Sequence, residues 1–106
     1  MGKAIVYIID PRDQKEHWLI WSSITDSPIT YGGTREEVER YWRREFGESC
    51  KFDECAARAV ANGCSFHGQA LDDLVRFNRA GPNESCATLE QILDEYCREQ
   101  RKGAGT

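Results

Sequence analysis

Long apolar runs are scarce in this sequence. The two longest, Ala4 to Ile9 and Trp18 to Trp21, fall far short of the roughly 20 residues needed to cross a bilayer. A charged-then-apolar leader with a cleavage site is also missing from the start, so the expected compartment is a cytoplasm. No internal repeat or low-complexity tract divides the 106 residues, and a hydrophobic content of 40% suffices for one two-layer core. The expectation is a single domain over residues 1–106, with the closing KGAGT of residues 102–106 as a frayed tail.

Lysine is sparse, with 4 against 10 arginines, and the 18 acidic side chains outnumber the 14 basic ones to give a net charge of −4. Such a molecule repels phosphate backbones, which argues against direct nucleic-acid binding. A basic set dominated by arginine favours planar, bidentate contacts with carboxylates. Catalytic patterns are missing too. Gly32-Gly33 lacks both the spacing and the lysine of a phosphate-cradling loop. No order of Ser, His and Asp suggests a triad. The paired acids Asp72-Asp73 and Asp94-Glu95 are adjacent in sequence, whereas proton-transfer carboxylates face one another across a cleft. A protein without enzymatic activity or cofactor is expected.

What is there reads as strands first and helices afterwards. AIVYII (4–9) is rich in β-branched and aromatic residues and ends at Asp10-Pro11-Arg12-Asp13, a strand followed by a turn. HWLIWSSIT (17–25) predicts a second strand, and Ile29-Thr30-Tyr31 a short third one before Gly32-Gly33. TREE at 34–37 is a reciprocal helix cap. Behind it Val38, Tyr41, Trp42 and Phe46 recur at helical spacing, with Glu36 and Arg40, and Glu39 and Arg43, as ion pairs one turn apart; Gly47 is the stop. Further helices are predicted over about 53–61, about 69–79, and from Thr88, where TLEQ repeats the cap. The fold class expected is α+β, a small antiparallel sheet of two or three N-terminal strands burying one face under about four α-helices.

Residues 50–67, CKFDECAARAVANGCSFH, bring three of the five cysteines close to a histidine. Cys50, Cys55, Cys64 and His67 form a C-x4-C-x8-C-x2-H series, which supplies the four donors of a zinc site but contains none of the short C-x2-C loops that small zinc domains use. Cys64 near His67 also has the beginnings of a catalytic thiol. Against both stands the reading of cysteine as a small core hydrophobe, and an odd count in a reducing compartment argues against a disulfide framework. His17 is expected at a solvent-facing strand edge. Trp18 and Trp21, three apart on one strand, are expected to point to opposite faces, which leaves one exposed unless both faces are covered. An exposed Trp18 flanked by Tyr31 and Arg12 would be an interface hot spot and would also serve a homodimer.

The segments WLIWSSITDSP, TYGGTREEVERYW and FNRAGPNESCATLEQIL resemble those of small proteins encoded by bacteriophages and prophages, and a short acidic α+β domain of this size is similar in type to the anti-CRISPR proteins. The resemblance implies a non-enzymatic inhibitor in a host cell. Its partner would be a larger host protein or ribonucleoprotein complex, such as a CRISPR effector. By chemistry, the acidic helix positions Asp72, Asp73, Glu90, Asp94, Glu95 and Glu99, with Trp18 and Tyr31, are the candidate binding residues, the acids competing for basic groups that normally hold phosphates. The alternative is a zinc-stabilised regulatory module associated with nucleic acid that uses Cys50, Cys55, Cys64 and His67.

Overall fold

The computed structural model describes residues 2–47 and 51–98. The AIVYII run forms most of β1 (Lys3–Ile9), and HWLIW most of β2 (Glu16–Ser22). They pair antiparallel with Val6 opposite Leu19 and Tyr7 opposite Trp18. β3 (Ser27–Pro28) joins the far side of β2, completing the order β1-β2-β3. This third strand falls earlier than the predicted 29–31, at an edge where the missing N–H of Pro28 costs no ladder bond. Residues 29–33 continue beside β2. The Ile29 amide donates to the Ile20 carbonyl at 2.8 Å, and Trp18 and Gly33 exchange amide-to-carbonyl bonds at 3.0 Å. At the opposite edge, residues 63–65 lie against β1: the Tyr7 amide donates to Gly63, Ser65 donates to Ile5, and the Ser65 hydroxyl accepts from the Ile5 amide, all at 2.9 Å.

Side chains alternate across the sheet, and both faces are covered. Ile5, Trp18 and Ile20 pack with Val38 and Trp42 of α1 (Arg35–Phe46) and with Phe52, Ala56 and Ala59 of α2 (Phe52–Asn62). Val6, Ile8, Leu19 and Trp21 pack on the other side with Cys64, with Leu74 of α3 (Leu71–Arg76), and with Ile92 of α4 (Leu89–Ile92). From the wider π-helical continuation of α4, Leu93–Arg98, Leu93 and Cys97 join the same core. The structure therefore has the expected α+β class and about four helices, but the expectation that only one sheet face is buried is corrected. Burial on both faces explains why β2 reads as an almost unbroken apolar run. Trp18 and Trp21 do point to opposite faces, and both are buried, at 4% and 2% exposure; Trp42 is buried at 4%.

Capping chemistry sets the helix ends. Thr34 and Glu37 satisfy each other's backbone amides at the start of α1, as Thr88 and Gln91 do at the start of α4. Gly47 ends α1 at φ +82°, as predicted. α3 is shorter than the predicted 69–79 because Asn78 terminates it. The buried Asn78 amide donates to the Leu74 and Val75 carbonyls and across to Ala87, at 2.9, 3.0 and 3.0 Å, while its oxygen accepts from the Ala80 and Ala87 amides. The thiol of Cys86 adds bonds to Val75 and Arg76. No helix among the described residues is long and apolar enough to cross a membrane.

Candidate functional site

The edge of β2 and the flank of α1 diverge above residues 30–33 and leave an open groove of about 450 Å³. The buried Trp18, Ile20 and Val38 form its floor, and Tyr31, Tyr41 and Arg44, which reach solvent, also line it. A second recess of about 500 Å³, lined by Glu37, Arg40 and Arg44, continues it along α1. The lining residues of α1 recur one turn apart at 37, 40/41 and 44, so a single helix stripe faces the groove. Glu37 is committed to its cap, its Oε1 accepting from the Thr34 amide at 2.9 Å. Behind Tyr41, the Lys3 ammonium bonds to Glu45 at 2.9 Å, which holds its pKa above the usual lysine value.

Tyr31 stands 56% exposed at the lip, yet its ring is propped against Tyr96 with centroids 5.9 Å apart. The next residue is pinned as well, since the Gly32 amide donates to the Tyr96 carbonyl at 2.6 Å. Gly32 has to be glycine here: a Cβ would sit 2.8 Å from the Cys97 Sγ and 3.2 Å from the His17 Nδ1. Two residues on, Arg98 anchors the π-helical turn. It donates to both carboxylate oxygens of the buried Asp10 at 2.7 Å, to Asp94 at 2.8 Å and to Glu90 at 2.9 Å. The guanidinium holds the Asp10 carboxyl far below the usual carboxylate range, and the three carboxylates raise Arg98 above its own. This network joins the β1–β2 turn to the far end of the chain.

The sequence-predicted residues are dispersed. Trp18 is not an exposed hot spot, because α1 and residues 29–33 cover its face of the sheet; its edge contributes only to the groove floor. With all three tryptophans buried, a dimer through an exposed tryptophan loses its anchor. The outstanding exposed ring is Phe77 at 75%. His17, expected at the solvent edge, is buried under residue 32 and Cys97. Of the acids, Glu90 and Asp94 turn onto Arg98, and Asp73 accepts from the Ala70 amide at 2.8 Å. Asp72 and Glu95 are exposed, and among the described residues neither forms an ion pair. Glu99 and Cys50 lie outside the described residues.

The candidate zinc ligands are separated by the sheet. Cys55 packs with the α1–α2 core, Cys64 with the α3–α4 core, and His67 is exposed. Among the described residues no three of His, Cys, Asp and Glu come together in a metal-holding group. Burial pushes the Cys64 thiol above its ordinary pKa, the opposite of what a nucleophile needs. Sequence reasoning missed Arg40, Tyr41 and Arg44 as a site. The signal available was their spacing on one side of α1, but Tyr41 reads as part of the apolar stripe and Arg40 as part of the wet face until residues 30–33 fold beside them. Comparison with protein-family models, curated proteins and solved structures yields no match.

Proposed function

We propose that this protein is a non-enzymatic binding module of the anti-CRISPR type, which acts by occupying a larger host complex stoichiometrically. The observation that carries this reading is the exposed Tyr31 ring, packed against Tyr96 at the mouth of a groove with an apolar floor. A rigid tyrosine beside a pocket loses little conformational freedom on binding, and such residues dominate interface energetics. The net charge of −4 supports a basic partner. The acidic share of the contact falls to Asp72 and Glu95 among the described residues, since Asp73, Glu90 and Asp94 are engaged within the chain.

The test is titration of the purified protein against type I and type II effectors across ionic strengths. A saturable complex that weakens with salt and loses about tenfold or more in affinity with Tyr31→Ala is expected. Binding to no effector would remove the anti-CRISPR reading.

A further inference from the structure

The structure accounts for most of the described arginines within the chain. Arg12, Arg35, Arg43, Arg79 and Arg98 each form an ion pair with a carboxylate, and Arg58 donates to the Ser65 carbonyl at 2.9 Å. Arg76 on α3 also forms no ion pair among the described residues, but Arg40 and Arg44 differ in lying one turn apart on α1. The sequence offers Glu36 as partner to Arg40, but among the described residues neither arginine forms an ion pair. Glu37 accepts from the Thr34 amide, and Glu39 goes to Arg35 and Arg43 instead. Two like charges one turn apart disfavour their helix slightly, and both line the recess that continues the Tyr31 groove.

We infer that this groove is a docking site for an acidic segment of a protein partner. An apolar or aromatic side chain enters between Tyr31 and Tyr41, and a neighbouring carboxylate meets Arg40 and Arg44. The apolar floor of Trp18, Ile20 and Val38 fits the first element, and a pair of guanidinium groups fits the second by bidentate hydrogen bonding. A phosphodiester strand is the poorer match. Its charge repeats at every nucleotide, so a strand running along the groove would set phosphates against the Glu37 carboxylate, which lines both the groove and the recess. A segment that places a single carboxylate beside Arg40 and Arg44 sets one negative charge against two positive ones, with Glu37 the one acid among the three residues that line the recess. The inference concerns the chemistry of the segment and does not depend on which host complex supplies it.

The experiment uses the full-length, nitrogen-15-labelled protein and an acetylated peptide carrying a phenylalanine followed by glutamates. Its amide spectrum is expected to shift at Tyr31, Gly32, Gly33 and Tyr41. The exposed double variant Arg40→Gln/Arg44→Gln should lose about tenfold or more in affinity, with its thermal midpoint unchanged. Tyr31→Ala should weaken the same peptide, and a control with lysines in place of the glutamates should bind no better than the double variant binds the acidic peptide. Shifts confined to other surfaces, equal binding of the lysine peptide, or full affinity in the double variant would overturn the inference. So would an oligothymidine that moves the same amides at lower concentration, which would assign the groove to nucleic acid. Because no effector is present, failure here is separate from failure of the anti-CRISPR reading.

Discussion

Asp10 and Arg98, 88 positions apart, meet through paired hydrogen bonds of 2.7 Å at the closed end of the β1–β2 turn. Asp10 is buried there, so each partner supplies the charge that makes the other tolerable. The same turn of helix carries Tyr96, whose carbonyl holds Gly32 and whose ring supports Tyr31. A clasp near the chain's end thus fixes the mouth of the groove.

Arg98→Met should lower the thermal midpoint and broaden the amide signals of Tyr31 and Gly32. The pH dependence follows from the direction of the Asp10 shift. Its native pKa is depressed, so its stabilising effect is complete above the unfolded value of about 3.9 and is lost as pH falls toward the native one. Urea midpoints measured from neutral pH downward should stay level and then drop below about pH 4, and the drop should be smaller in Asp10→Asn. Identical acid profiles for the two proteins would refute this assignment.

Asn78→Ala removes the group that closes α3 and fastens it to residue 87. Three carbonyls and two amides lose a partner in a largely buried site, a loss of about 3 kcal/mol. Denaturant titration checks it, and Asn78→Asp, which keeps the acceptor but not the donors, should recover only part of the loss.

Gly63 adopts φ +90° where α2 ends, and its carbonyl accepts from the Tyr7 amide. An added Cβ would overlap the Leu71 Cβ, so strain and crowding act together. Gly63→Ala should destabilise by about 1–3 kcal/mol, whereas Gly47→Ala, with nothing within 4 Å, should cost less.

Cysteine labelling should follow burial. Cys86 is exposed and should react with a thiol reagent in the native state, while Cys64 and Cys97 should react only on unfolding. Mass spectrometry of the labelled peptides localises each adduct. Rapid native labelling of Cys64 would contradict its place in the core.

Local chemistry was the legible part of this sequence. Thr34 with Glu37, Thr88 with Gln91, and Gly47 announce helix ends through bonds between near neighbours, and the structure contains them. The split of Trp18 and Trp21 between faces follows from strand geometry alone. Burial of both needed helices on each side, which depends on how the second half of the chain wraps around the sheet. The end of α3 was missed because Asn78 acts through its side chain and reaches Ala87. The groove was missed for a related reason: Arg40 has an acid at the right spacing in sequence, yet its surroundings are decided by residues 30–33. The pairing of Asp10 with Arg98 had no sequence signal, because an ion pair across 88 positions leaves no period to read.

The rims of the small sheet are already occupied. Ile5 and Tyr7 spend their outward amides on residues 63–65, and Trp18 and Ile20 spend theirs on Gly33 and the Thr30 hydroxyl. A foreign strand therefore finds little main chain to extend, which guards a concentrated solution against edge-to-edge stacking into fibres. Recognition of this molecule falls instead to its protruding side chains and to the hollows between them.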